Sequence, residues 1–213
     1  MSSLPKHLED RHHQGAREYS PSAARNIPPL VEKLSSLWPK NASVLEIASG
    51  TGQHAAAFCN VREDVTWQPS DPDTAARASQ NAWASEAAGR IKPSLDLNVM
   101  KPEWWGGLPV FDAIFCANMI HIAPSATVGA LADGAASLLN AHGAFYLYGP
   151  FQEGESTAPS NLAFDESLKR RNSDWGVRHL SDVKHIFATR GLNLSERVIM
   201  PKENRLLLFK RSL

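Results

Sequence analysis

A doubly wound α/β fold is what this sequence predicts: seven strands in a mostly parallel sheet, with an antiparallel hairpin at the carboxyl end. Three observations carry the prediction. Short apolar runs alternate with helical stretches between residues 43 and 148, the pattern of a parallel sheet covered by helices. One of those runs ends in Ser49-Gly50-Thr51-Gly52 and passes at once into a helical segment. The last two runs are separated by Pro201-Lys202-Glu203-Asn204, too short for a crossover, so they pair antiparallel.

Each element has its own local reason. Residues 1 to 18 are polar and read as a loosely ordered arm, in which His7, His12 and His13 are solvated rather than a metal site. From residue 19 onward the chain reads as one domain. Ser20 or Ser22 caps a helix whose Leu30, Leu34 and Leu37 recur at helical spacing, and Pro28-Pro29 divides it into a short turn and a longer helix. Ser43 to Ala48 is the first strand, and QHAAAFCN after the glycine turn is the first crossover helix. Val65 to Pro69 is the second strand, and Asp73 caps a helix from Thr74 to Ala88. Ile91 to Leu97 is a third, weaker strand and Phe111 to Cys116 a fourth. A helix runs from Pro124 to Leu139, then a fifth strand from Ala144 to Tyr148. Leu192 to Met200 and Arg205 to Lys210 form the closing hairpin.

Composition narrows the function classes. Of the 213 residues, 43% are apolar and 21% charged, with 22 Lys and Arg against 22 Asp and Glu, so the chain has neither the low hydrophobicity nor the net charge of a disordered protein. Cys59 and Cys116 form no C-x-x-C pair, which points to a reducing, cytoplasmic setting. No apolar run approaches a membrane span, and the first residues lack the pattern of a signal peptide.

Glycines at a strand-to-helix turn let backbone approach a ligand, and the helix start adds N–H groups and positive dipole character. Asp71 stands 19 residues after Gly52, at the end of the second strand, where a carboxylate accepts both hydroxyls of a ribose. Turn and acid together point to an adenosine-containing cofactor. Glu46, four residues before Gly50, matches the acidic-x-Gly-x-Gly-x-Gly turn of class I S-adenosylmethionine-dependent methyltransferases, with Ala48 in the first glycine position. Glu46 either orients the turn or reaches the cofactor's ammonium.

The strings VLEIASGTGQHAAAF, WQPSDPD, FDAIFCANMIHIAP, FYLYGPF, PSNLAFDESLKRR and DWGVRHL, entered by SPSAARN and left by PKENRLLLFKR, resemble the methyltransferase-like protein 26 family over residues 19 to 211. The resemblance implies the Rossmann-like methyltransferase fold and S-adenosylmethionine binding, with no defined acceptor. It implies that Ala48, Ser49, Gly50 and Gly52 lie under the methionine portion, and that Asp71 holds the ribose with Pro72 shaping the loop. Asp96 and Leu97 would face the adenine, although Asp96 also suits a strand-end turn. Asn118 would sit near the sulfonium. Arg25 and Asn26 would close over the cofactor, Arg25 on its carboxylate, unless Arg25 is a surface charge. His54 would serve to hold loops together.

Methyl transfer from a sulfonium needs orientation and a dry site more than it needs a base. His121, just after the fourth strand, is the candidate base, or else a hydrogen-bonded wall residue. The acceptor contacts fall after the fifth strand, where Tyr148, Phe151, Asn161, Phe164, Asp165 and Trp175 stand. Asn161 and Asp165 are one helical turn apart and face one ligand, or act as a cap and a solvated carboxylate; Phe164 and Trp175 are more often core. No Asn-Pro-Pro-aromatic string occurs, which weighs against nucleobase amines and toward a small-molecule acceptor. The competing readings are a nicotinamide dehydrogenase on the same turn, a non-catalytic cofactor-binding adaptor, and an RNA-modifying enzyme. The last draws on a charge split: residues 1 to 168 carry 11 basic and 18 acidic residues, and residues 169 to 213 carry 11 and 4. The plainer account is that the two parts neutralise each other on folding.

Overall fold

The strands of the main sheet lie in the order Thr66–Pro69, Ser43–Ile47, Phe111–Ala117, Leu139–Pro150, Asn204–Arg211 and Leu192–Met200, mostly parallel, with antiparallel strands at the carboxyl end. The structure is a computed structural model and describes residues 11–211. The chain divides into two compact units: the described residues up to Asn98 with Phe111–Ala113, and Val99–Val110 with Ile114 onward.

The first unit opens with a hairpin of β1 (His12–Gln14) and β2 (Arg17–Tyr19), paired antiparallel. The expected loose arm is therefore folded from residue 11 to residue 19; the residues before it, His7 among them, lie outside the described residues. Helix α1 (Pro21–Leu37) is capped by Ser20, whose side chain accepts from the Ala23 N–H at 3.0 Å. It runs unbroken through Pro28 and Pro29, contrary to the expected division. The two interior prolines cost about 6 kcal/mol together, and burying the fully enclosed Leu30 and Leu34 returns roughly 3–6 kcal/mol, so packing offsets much of the cost of the unbroken helix.

Strand β3 (Ser43–Ile47) pairs in parallel with β4 (Thr66–Pro69), Val44 opposite Trp67. Between them lies α2 (Gln53–Val61), and after β4 comes α3 (Thr74–Ala84), capped by the Asp73 carboxylate on the Ala75 and Ala76 N–H groups. Trp38, Phe58 and Trp67 form the aromatic core here, with Phe58 stacked on Trp67 at 5.2 Å. The expected strand at residues 91–97 is reduced to two isolated parallel bridges, Trp67 to Ile91 and Ser70 to Leu95. The two bridges are one residue out of register, Trp67 facing Ile91 but Ser70 facing Leu95, so an extra residue between them breaks the ladder. Among the described residues the main sheet has six strands rather than the seven expected.

Strand β5 (Phe111–Ala117) passes from the first unit to the second. In the second unit α4 (Thr127–Leu138) begins three residues later than expected, after a turn in which the Pro124 carbonyl accepts from Thr127. Strand β6 (Leu139–Pro150) is longer than expected at both ends. It is followed by α5 (Pro159–Arg171) and α6 (Leu180–Ala188). The closing hairpin is present as β7 (Leu192–Met200) and β8 (Asn204–Arg211), with β8 antiparallel to β6 as well. Phe145, Phe187 and Phe209 are fully enclosed, and Phe187 stacks on Phe209 at 4.2 Å. Among the described residues no helix is long and apolar enough to cross a membrane.

Candidate functional site

The glycine turn of the first unit is built from left-handed backbone: φ is 54° at Ala48, 55° at Gly50 and 86° at Gly52. Ala48 thus adopts a conformation glycine favours, a strain of the kind found at ligand sites. Gly52 admits no side chain, because a Cβ would stand 2.8 Å from the Gln80 Cα. The turn's donors are largely committed inward. The Ser49 N–H reaches the Ser70 carbonyl at 2.9 Å, the Gly50 N–H reaches Asp71 Oδ2 at 3.1 Å, and the Gly52 N–H reaches the Ser49 carbonyl at 3.1 Å. Asp71 Oδ1 accepts the Asp73 N–H at 3.0 Å. One carboxylate therefore locks the glycine turn to the loop after β4. Burial pushes Asp71 up to about 6, and the N–H groups of Asp73 and Gly50 hold it back from rising further.

Glu46 is buried at the end of β3. Its Oε2 accepts from Trp67 Nε1 at 3.1 Å and its Oε1 meets His54 Nδ1 at 3.0 Å, while its carbonyl accepts from the hydroxyls of Ser49 and Ser70. Of the two expectations for Glu46, these contacts are those of a residue that orients the turn, and His54 is its partner.

Several organising residues had no local signal. Arg77 on α3 donates to the carbonyls of Asp71 and Pro72, each at 2.9 Å, and pairs with Asp96 at 3.3 Å. It ties the loop expected at the ribose to the loop expected at the adenine; Asp96 is exposed there and Leu97 buried. Ser79 donates to the Thr51 carbonyl at 2.7 Å, and Gln80 donates to the Gly50 carbonyl at 2.9 Å, so α3 underlies the turn. Arg11 reaches the turn from the hairpin: a Cβ on Gly50 would stand 3.7 Å from its Nη2. Arg25 lies on the exposed surface of α1, where it donates to the Ser22 hydroxyl at 3.2 Å; Asn26 is half-buried beside it.

The remaining expected residues belong to the second unit. Asn118, at φ 57°, follows β5, and its N–H donates to the Tyr148 carbonyl at 2.8 Å. His121 is buried, and neither ring nitrogen has a hydrogen-bond partner among the described residues. Burial and the nearby Arg178 charge push it down to about 3, so the ring is neutral. Gly149, at φ 154°, makes room for it: a Cβ there would collide with His121 Nε2 and stand 3.2 Å from Asn118 Oδ1. Arg178 clamps the surrounding turn by donating to the carbonyls of Ile120 and Ala123. Phe151 packs edge-on against the imidazole at 5.8 Å. Burial raises the Tyr148 hydroxyl to about 12.

Asn161 donates its amide to the carbonyls of Phe151 at 3.2 Å and Glu203 at 3.1 Å. Asp165 accepts from the Val177 N–H at 2.9 Å and from Lys169 at 2.6 Å, and it lines a cavity of about 240 Å³ with Arg178 and His179. Phe164 and Trp175 are half-buried. Part of the basic end of the chain is matched within this unit: Arg190 pairs with Asp133 at 2.9 Å, and Arg197 and Arg205 both grip Glu153. Cys59 and Cys116 are buried, and neither is in a disulfide among the described residues. Among the described residues no group of three His, Cys, Asp or Glu could hold a metal ion.

A family model described as "Protein of unknown function (DUF938)" matches residues 17–211. The chain belongs to the DUF938 family. Solved structures share the fold of this DUF938 chain. An O-methyltransferase family protein from Burkholderia thailandensis aligns with a TM-score of 0.76 at 18% identity, over 90% of this chain and 57% of that one. CalO1, a methyltransferase in calicheamicin biosynthesis solved with SAH bound, gives 0.74 at 15%, over 90% and 54%. An O-methyltransferase family 2 protein from Planctomyces limnophilus, in complex with apigenin, gives 0.72 at 15%, over 90% and 60%. The DUF938 chain spans somewhat more than half the length of these structures, and it has their class I methyltransferase fold.

Proposed function

We propose that this DUF938 chain is an S-adenosylmethionine-dependent methyltransferase acting on a small-molecule acceptor, a relative of the methyltransferase-like protein 26 family. The observation that carries the reading is the coupling of the left-handed glycine turn to Asp71 through the Gly50 N–H. A buried carboxylate at this place keeps lone pairs for the two ribose hydroxyls while its N–H contacts fix its direction. Asp96, exposed and steadied by Arg77, suits an exocyclic amine, and Leu97 suits a base face. The fold of the solved methyltransferases supports this over a nicotinamide dehydrogenase. S-adenosylmethionine supplies a methyl group already activated on a sulfonium, so the protein's tasks are binding, orientation and exclusion of water.

Asn118 and His121 are assigned to the acceptor side, with Tyr148. A neutral imidazole with a depressed pKa is a better hydrogen-bond acceptor than a proton store. His121 therefore orients the acceptor's O–H or N–H rather than holding its proton through turnover. Asn161 and Asp165 shape the walls. The matched charges of the second unit favour a metabolite over RNA, and the buried thiols suit a cytoplasmic setting.

Titration calorimetry with S-adenosylmethionine and S-adenosylhomocysteine tests the reading; binding of neither rejects it. Asp71→Ala should weaken binding more than His121→Ala does, and the opposite order would remove the ribose assignment. Incubation with labelled donor and a metabolite extract separates enzyme from adaptor, and a reduced-nicotinamide fluorescence titration tests the dehydrogenase reading.

A further inference from the structure

The amino-terminal hairpin is fastened to the glycine turn by contacts that converge on α3. The Glu18 N–H donates to the Ser79 hydroxyl at 2.8 Å, and the same hydroxyl donates to the Thr51 carbonyl at 2.7 Å. Trp83 Nε1 donates to the Glu18 carbonyl at 3.3 Å, Tyr19 packs edge-on against Trp83 at 5.0 Å, and the Arg17 guanidinium lies over the Trp83 ring at 4.9 Å. The Ser20 N–H donates to Gln53 Oε1 at 2.6 Å. This docking carries Arg11 to Gly50.

Arg11 uses one edge of its guanidinium and leaves the other. Nη1 donates to Glu18 Oε2 at 2.6 Å. Nε is buried and has no hydrogen-bond partner among the described residues, and Nη2 is the atom that approaches Gly50. Nε and Nη2 form the fork that matches a carboxylate bidentately. A buried donor without a partner is costly unless something supplies an acceptor.

A ligand carboxylate at this turn needs a cation. The N–H groups of Ser49, Gly50 and Gly52 already serve Ser70, Asp71 and Ser49, so the turn has few donors left for an anion. Arg25, the residue the sequence suggests for that task, is exposed and bonded to Ser22.

Resting on the donor reading above, we propose that Arg11, oriented by Glu18, holds the α-carboxylate of the methyl donor through its Nε–Nη2 edge. Glu18 is the positioning residue, and the hairpin becomes part of the binding site rather than a tail ahead of it.

The test compares S-adenosylmethionine with its decarboxylated form, which lacks the carboxylate alone, by titration calorimetry on the full chain. The native protein should prefer the carboxylated ligand by about tenfold to a hundredfold, the range of charge-assisted hydrogen bonds. Arg11→Met should abolish that preference and leave the decarboxylated ligand's affinity within about twofold, while Arg11→Lys restores part of it and Arg25→Met changes neither. Equal weakening of both ligands by Arg11→Met, or an undiminished preference, overturns the proposal. Binding of neither ligand by the native protein overturns the donor reading itself.

Discussion

Asp71 in the first unit and His121 in the second are buried ionisable groups under the same pressure, and burial drives both toward their neutral forms. Asp71 is met by two backbone N–H groups and rises only to about 6, so it is largely ionised at neutral pH. His121 has only a backbone contact at Gly176 to oppose its burial, its ring nitrogens have no hydrogen-bond partner among the described residues, and it falls to about 3. The difference shows two ways of making a polar site. One keeps a charge by surrounding it with backbone donors. The other leaves an imidazole neutral, its ring nitrogens without a hydrogen bond among the described residues.

The first way depends on Gly52. Gly52→Ala forces a Cβ toward the Gln80 Cα at a left-handed φ, and should cost about 3 kcal/mol or more and abolish donor binding, read by thermal denaturation and calorimetry. A variant with native stability and affinity would mean the turn is not the rigid part of the site.

Acid sharpens the comparison further, because the two groups respond with opposite signs. Asp71 has a raised folded pKa, so the native state binds more protons than the unfolded state between about pH 4 and 6, and its contribution to stability grows as pH falls. His121 has a lowered folded pKa, so the unfolded state binds more protons between about pH 6.5 and 3, and its contribution shrinks as pH falls. Each slope has a ceiling of about 1.4 kcal/mol per pH unit, so the two nearly cancel between about pH 4 and 6. Denaturant titrations in that window should show Asp71→Asn losing stability on acidification relative to the native protein, and His121→Leu gaining it. Matching slopes in both variants would contradict the account.

At pH 8 the His121→Leu protein should be as stable as the native one or up to about 1 kcal/mol more stable, since an unpartnered buried imidazole is removed, while turnover falls. A large loss of stability would make His121 a packing residue. The smallest effect belongs to the grip on Glu153. Arg197→Met, at the more exposed of the two pairs, should cost under about 1 kcal/mol. Arg205→Met should cost more, because Arg205 is buried and its loss leaves a carboxylate half-matched. Equal costs would place both pairs in solvent.

The parts legible in the sequence are those whose causes are local. Ser20 and Asp73 are caps because each serves N–H groups two or three residues on. Gly50, Gly52 and Asp71 announce themselves by residue type and spacing, and the four-residue link announces the closing hairpin. The failures have equally definite causes. Pro28 and Pro29 argue locally for a break that the burial of Leu30 and Leu34 overrides. Residues 91–97 suggest a strand, but a one-residue register shift between Ile91 and Leu95 interrupts the pairing. Arg11, Arg77, Ser79 and Gln80 carry no signal in the sequence, because an arginine, a serine or a glutamine gains a role only from the partner it reaches. Ser79 meets the Glu18 N–H 61 residues away and the Thr51 carbonyl 28 away.

The sequence by itself determined the alternation of strands and helices, the glycine turn and its acid, and the balance of charge, since periodicity, backbone freedom and composition are properties of short stretches. Only the tertiary structure decided that Arg11 reaches the turn, that Glu46 faces Trp67 and His54, that the His121 ring nitrogens lack a hydrogen-bond partner among the described residues, and that Lys169, Arg190, Arg197 and Arg205 of the basic end meet Asp165, Asp133 and Glu153. Those outcomes depend on distances between residues far apart in the chain, and folding sets those distances by burying apolar surface, which leaves each polar group to find a partner where packing happens to bring it.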